Sequence, residues 1–278
     1  MIQDKNKVEI LWGLFALTII LPLLDIFLNS INLFLPYLTI LKFILPIIVL
    51  LWHSFYLFGL LNSALLLMPS FIIGFLFEII GVNFGIVFGG NYFYNVTSLG
   101  PIILGVPILI PFFWSFFIYT GYIITSSFLV WMDIPKPSKI NKNIWLVPLL
   151  IIIDGLVVVA IDLFMDPIMV SSHNWTWNNG GVYFGIPLGN FVGWFLVTIL
   201  STGIFRVYEY YFPIIKSRRT PALLLIPVIG YLSLIIIFSI LALNLELYKV
   251  TLVGIVIMLP IVLLNLYLFI KKYDKISK

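Results

Sequence analysis

Residues 154–194 read DGLVVVAIDLFMDPIMVSSHNWTWNNGGVYFGIPLGNFVGW. Asp154, Asp162 and Asp166 stand in or at the end of an apolar run that begins near Ile144. A bilayer crossing needs about 20 such residues, so the run reads as a membrane span. A carboxylate at the centre of a span costs about 2.5–3.5 kcal/mol on insertion scales, and by default an intramembrane acid is a functional group. Pro167 follows, then His173, Trp175, Trp177, Gly180, Gly181 and Tyr183, and a second apolar run that opens GIPLGN at residues 185–190.

Composition extends this reading to the whole chain. Hydrophobic residues make up 62% of the 278 residues and charged residues 9%, against about 25% charged in soluble domains. No soluble fold of this length hides so much apolar surface, so the chain is expected to be an all-α polytopic membrane bundle. The absence of Cys excludes disulfides, thiol catalysis and Cys-ligated metals. With only His53 and His173 in the chain, a His-rich di-iron centre is not expected, and neither a metal nor a cofactor is called for. The net charge of +4 sits in loops and tails, where it signals topology rather than nucleic-acid binding.

Eight spans are expected, at about 8–28, 37–58, 64–82, 104–131, 144–165, 186–211, 222–243 and 250–270. The first is long for a signal-peptide core and is read as retained. Lys42 is expected to snorkel at the end of the second. With eight spans, four basic groups share one side: Lys5 and Lys7; Lys136, Lys139 and Lys142; Lys216, Arg218 and Arg219; and Lys271, Lys272, Lys275 and Lys278. The positive-inside rule then makes both termini cytoplasmic, in a multi-pass protein of the cell membrane. The loops after spans three and five carry no Lys or Arg, and they are expected to meet on the opposite side at the mouth of an elongated apolar pocket between spans three to six. We expect one transmembrane domain over residues 1–278, with a motif-bearing core at about 64–211 and a C-terminal helical pair at 222–270. Glu78 with GGNYFYN and LGPIILGVP echoes Asp162 and Asp166 with NNGGVYF and GIPLGN, an echo of the kind left by repeated halves in membrane folds.

Each candidate group has a plain structural reading beside a functional one. Asp162 and Asp166, four apart, share a helix face. Together with Asp154 and Glu78 they could serve as polar glue between helices, and Asp166 before Pro167 could end its helix. The functional reading is a carboxyl placed to donate a proton. Tyr92, Tyr94, Trp114, Trp175, Trp177, Tyr183 and Trp194 could form an interfacial aromatic belt. Alternatively, their ring faces could shelter a carbocation, for about 0.5–2 kcal/mol each. Asn190, like Asn91 and Asn179, could position water or cap a helix. Arg206 and Glu209, three apart, are expected to pair structurally.

Two clusters resemble the membrane family of carotenoid biosynthesis that includes bisanhydrobacterioruberin hydratase and the related carotenoid 1,2-hydratases. The first is Glu78, Gly81, Gly85, Tyr92, Tyr94, the G-P-x-x-x-G-V-P string at residues 100–107, and Trp114. The second is Asp162, Asp166-Pro167, Trp175-x-Trp177, Gly181, Tyr183, Gly185-x-Pro187, Asn190 and Gly193-Trp194. The resemblance covers residues 74–194, under half of the chain. It implies a cofactor-independent carbon–oxygen lyase that hydrates the terminal double bond of an acyclic C40 or C50 carotenoid. From their placement we expect Glu78, Asp162 and Asp166 to be catalytic, with Asp162 or Glu78 as the general acid and its partner or Asp166 orienting the water, and Tyr92, Tyr94, Trp114, Trp175, Trp177, Tyr183, Asn190 and Trp194 to bind the substrate. The partners implied are membrane lipid, an acyclic carotenoid or other polyisoprenoid, and other membrane enzymes of the pathway, with no nucleic acid. Two further readings stay open: a non-catalytic polyene- or lipid-binding membrane protein, and a small proton-coupled transporter that uses Glu78 and Asp162 as relay groups.

Overall fold

The computed structural model describes residues 2–95, 99–214 and 221–276. Lys216, Arg218, Arg219 and Lys278 lie outside the described residues. The apolar runs form α1 (Ile2–Ser30), α2 (Pro36–Phe58), α3 (Leu60–Phe84), α4 (Ile110–Trp131), α5 (Leu146–Ser171), α6 (Leu188–Tyr211), α7 (Pro221–Asn244) and α8 (Tyr248–Ile276). Among the described residues these are eight helices long and apolar enough to cross a membrane. The chain is therefore an all-α, multi-pass membrane bundle. Consecutive helices pack as hairpins, α1 with α2, α3 with α4, α5 with α6 and α7 with α8, while α3 also packs on α6 and α5 on α8.

Hydropathy sorts the helices by what they face. Of the eight helices α4 is the least apolar yet the most buried, whereas α8 is strongly apolar and mostly exposed. A helix surrounded by protein can carry small polar residues where a lipid-facing one cannot. In α4, Thr120 and Thr125 return their hydroxyls to the carbonyls of Phe116 and Gly121. Ser127 and Trp131 both donate to Asn265 Oδ1 of α8, which ties the centre of the bundle to its last helix.

Three prolines or proline-adjacent segments depart from the sequence expectation or refine it. The fifth span was expected to stop near Met165, but α5 runs through Pro167 to Ser171. A mid-helix proline leaves the carbonyl four residues back without its N–H. Here the Tyr183 hydroxyl donates to that carbonyl, Leu163 O, at 2.9 Å. Pro227 of α7 likewise frees Leu223 O, and His53 Nε2 approaches it at 2.9 Å while Nδ1 meets the Tyr119 hydroxyl at 2.6 Å. With a carbonyl at Nε2, that nitrogen carries the proton. The fourth span, expected from Leu104, begins at Ile110. Residues 102–107 instead form a small hairpin, β2 (Ile102–Ile103) with β3 (Val106–Pro107). Its two-residue turn, Leu104 and Gly105, has positive φ at both positions, the signature of a type I′ turn.

The two motif loops meet, as expected. β1 (Tyr92–Tyr94) pairs antiparallel with β4 (Trp175–Trp177), with Tyr92 opposite Trp177, Phe93 opposite Thr176 and Tyr94 opposite Trp175. Behind them the loop between α3 and β1 crosses the start of α6. A Cβ on Gly189 would lie 2.6 Å from the Gly89 Cα, so these backbones touch only because both residues are glycine.

Candidate active site

The paired strands roof one end of a cavity of about 760 Å³. Its depth follows from helix register. Glu78 lies six residues before the end of α3, Asp166 five before the end of α5, and Asn190 two after the start of α6. At 1.5 Å per residue the two acids sit about 8–9 Å in from their helix ends. All three line the cavity, together with Phe88, Tyr92, Tyr94, Trp114, Trp175, Trp177 and Trp194. The cavity is not confined to the walls between spans three and six. It continues between α1, α2 and α7, where Phe15, Pro46, Leu50, Ile226 and Leu234 line it.

Glu78 is held from three directions. Tyr92 and Tyr94 donate to Oε2 at 2.5 and 2.6 Å, and Trp114 Nε1 donates to Oε1 at 2.9 Å. In every one of these bonds the carboxyl accepts. Burial first, and then the neighbouring Glu78, hold the Tyr92 and Tyr94 hydroxyls well above the usual phenol value, so both stay protonated and remain donors. Trp114 reaches Glu78 because residue 74 has no side chain: a Cβ there would lie 2.4 Å from the indole Cγ.

The second acid group is a pair. Asn190 Nδ2 donates to Asp162 Oδ2 at 2.9 Å and to Asp166 Oδ2 at 2.6 Å. All three residues are buried. Asp166 faces the cavity, whereas Asp162 lies behind it and does not line the wall. Asp162 Oδ1 is buried and accepts from no N–H or O–H donor, while the Asp162 and Asp166 carboxyls meet one another, so a proton shared between them is what satisfies the pair. Aromatic rings surround the acids. Trp114 and Trp194 meet with ring centroids 4.1 Å apart, Tyr92 and Trp177 at 5.3 Å, and Tyr94 and Trp175 at 5.8 Å. Trp177 is pinned by its Nε1 donating to Phe88 O at 3.0 Å.

Of the residues singled out in the sequence, Glu78, Asp166, Tyr92, Tyr94, Trp114, Trp175, Trp177, Asn190 and Trp194 come together on this wall. Tyr183 stands apart, bonded to Leu163 O, with burial and then Asp162 pushing its hydroxyl up to about 12. Asn91, Asn179 and His173 are also absent from the wall. Asp154 belongs to a different structure altogether. Arg206, expected beside Glu209, grips Asp154 with Nε and Nη2 at 2.5 and 2.6 Å. The Arg206 guanidinium also stacks over the Tyr122 ring at 4.6 Å. Tyr122 and Lys136 each donate to Glu209 at 2.7 Å. This cluster is the polar glue of the bundle.

Phe88, Met169 and Asn174 also line the cavity, and no motif in the sequence marks them. Lys42, expected to snorkel, instead pairs through Nζ with Asp25 Oδ2 at 2.6 Å across the α1–α2 hairpin. An acid in span one and a base in span two were the available signal.

No curated protein and no solved structure matches the chain. A family model described as carotenoid biosynthesis protein matches residues 37–261, a stretch that takes in the acids, the aromatic wall and the paired loops. The chain therefore belongs to the carotenoid biosynthesis protein family, and its role lies in carotenoid biosynthesis.

Proposed function

We propose that the protein adds water to the terminal trisubstituted double bond of an acyclic C40 or C50 carotenoid that enters from the bilayer. The observation that carries this reading is the convergence of Glu78, Asp166 and Asn190 on one wall of an apolar cavity faced with tryptophan and tyrosine. Asp166 is the acid, because it borders the cavity and Asp162 does not. The Asp162–Asp166 pair, bridged by Asn190, holds one proton between two carboxyls, as closely spaced acids do. Asp166 gives that proton to the less substituted alkene carbon. The π bond breaks, a C–H bond forms, and a tertiary cation is left at the neighbouring carbon. The ring faces of Trp114, Trp194 and Trp177 and the Glu78 carboxylate shelter this charge. Water attacks the cation, a C–O bond forms, and the proton that water loses returns to the aspartate pair. The sum is alkene plus water giving a tertiary alcohol, with the acid regenerated.

Pigment analysis of cells that lack the protein tests the reading. Build-up of a non-hydroxylated acyclic carotenoid is expected. An unchanged pigment set would favour a binding protein or a transporter.

We place the protein in the cell membrane with both termini cytoplasmic, because Lys7, the residue 136–142 loop and Lys272 lie at the same end of an even number of antiparallel spans and basic residues favour the cytoplasmic side. The chain has no cysteine, so single cysteines label cleanly. Cysteines at Ile140 and Val182, which are 75% and 84% exposed, should react from opposite sides. Labelling of both from one side would overturn the topology.

A further inference from the structure

The cavity has a second polar patch that the hydration chemistry does not use. Asp25 and Lys42, on α1 and α2, line the same cavity as Glu78 and Asp166. Asp25 lies five residues before the end of α1 and Lys42 six after the start of α2. By register they are therefore about as deep as the acids. The Asp25 side chain is 6% exposed and that of Lys42 23%, so the pair sits inside the bundle wall and not in bulk water. Two charges cost several kcal/mol each to bring out of water, and apolar residues of similar volume often hold two helices together at least as well. A purely structural tie between two peripheral helices does not call for an ion pair facing a cavity.

Resting on the hydratase reading, we infer that Asp25 and Lys42 form a second subsite, which binds a hydroxyl group already present on the isoprenoid substrate. The chemistry of the pair selects that class of group. The Lys42 ammonium carries three N–H donors, one of which is directed to Asp25 Oδ2. Two donors and the second carboxylate oxygen, Oδ1, remain for a ligand. An alcohol both donates and accepts, so it satisfies both members at once. The pair is neutral as a whole, and its carboxylate repels a phosphate or carboxylate head. The wall beside the pair is apolar at Pro22, Phe43 and Ile47 and polar at Asn29 and Ser30 toward the helix end, so a hydrocarbon that carries a hydroxyl meets both kinds of surface. The substrate is thus held at two points, the reacting alkene under the β1–β4 roof and an oxygen function at the α1–α2 hairpin.

The test uses the full-length protein in lipid nanodiscs. Linear all-trans isoprenoid alcohols of C10, C15 and C20, each with a terminal trisubstituted alkene, compete with lycopene for binding, followed by the quenching of tryptophan fluorescence. Each alcohol is compared with the hydrocarbon in which methyl replaces hydroxymethyl. For at least one chain length the wild type should prefer the alcohol by about tenfold, the worth of one good hydrogen bond to a charged group. The Asp25→Leu/Lys42→Met double variant should keep its affinity for the hydrocarbon and lose the preference. The exchanged pair Asp25→Lys/Lys42→Asp, which keeps the helix tie, should retain it. Equal binding of alcohol and hydrocarbon by the wild type overturns the inference and leaves hydration standing. So does a preference that survives in the Leu/Met variant. Binding of neither lycopene nor any probe overturns the isoprenoid reading beneath it.

Discussion

Replacing Glu78 by glutamine separates the charge of this residue from its place in the fold. The carboxyl accepts three hydrogen bonds, two from tyrosine hydroxyls at Oε2 and one from an indole N–H at Oε1. An indole N–H can only donate, whereas a tyrosine hydroxyl can also accept. The amide of Glu78→Gln therefore has one good orientation, with its oxygen facing Trp114 and its nitrogen facing Tyr92 and Tyr94. Both amide hydrogens then find an acceptor and the indole keeps its own, while the two tyrosine O–H groups lose the carboxylate oxygen to which they donated. The change exchanges charge-assisted bonds, worth about 1.5–3 kcal/mol each, for neutral ones worth about 0.5–1.5. Over three bonds the loss is about 3–4.5 kcal/mol, and it is offset in part because a neutral amide is cheaper to bury than a carboxylate. Glu78→Leu, by contrast, orphans three buried donors at about 1–3 kcal/mol each. Thermal unfolding in detergent should therefore place Glu78→Gln below wild type and Glu78→Leu, which leaves all three donors with no partner, lower still. Turnover should not follow stability. With the counter-charge gone from the cation, chromatography of pigment should show Glu78→Gln slower by about 10²–10³-fold, the usual cost of losing one preorganised electrostatic group. A Glu78→Gln protein that keeps more than about a tenth of wild-type turnover, above that expectation, would refute the role given to the Glu78 charge. Equal destabilisation by Gln and Leu would refute the hydrogen-bond argument.

Two further outcomes follow from the geometry. Asp154→Asn leaves Arg206 buried without its counter-ion and should destabilise the protein by about 3–5 kcal/mol, while the double change Asp154→Leu/Arg206→Met should recover much of that loss; chemical denaturation of the three proteins decides it, and a stable Asp154→Asn would contradict the buried pair. The raised values of Tyr92 and Tyr94 mean that their contribution to stability is complete below pH 10 and is lost only as pH rises through the higher folded values. In an ultraviolet titration of the 14 tyrosines, Tyr92→Phe/Tyr94→Phe should thus remove two late-titrating groups and leave the step near pH 10 unchanged; loss of amplitude at that step would show these hydroxyls to be ordinary.

Much of this architecture was legible in the residues because the bilayer imposes a strong rule on composition. Eight apolar runs gave eight helices, and the glycine- and aromatic-rich loops after Glu78 and Asp166 paired as their matching residue types suggested. Where the sequence misled, the cause was a tertiary partner that replaced a missing local one. Pro167 looked like a helix stop, but Tyr183 satisfies the carbonyl it frees. Arg206 and Glu209 looked like a local pair, yet the geometry joins Arg206 to Asp154, 52 positions away. Periodicity along one helix carries no information about such contacts. The same limit hid the extent of the cavity, since nothing local to α1 or α2 announces that Asp25 and Lys42 would border the space beside Glu78. Among the candidate residues, the distinction between Asp166 on the wall and Asp162 behind it depends on which way α5 is turned, which four-residue spacing alone leaves open.

The central claim is that Asp166 protonates a carotenoid alkene and that water completes the product. The most direct measurement is mass spectrometry of lycopene incubated with the purified protein in nanodiscs made up in heavy-oxygen water. The product should be heavier by one molecule of that water, with the label in a tertiary hydroxyl. Asp166→Asn should bind lycopene but make this product at least about 10²-fold more slowly, as the loss of a general acid requires. Lycopene that binds to the wild-type protein and leaves unlabelled, or an Asp166→Asn protein that labels it at the wild-type rate, would contradict the account.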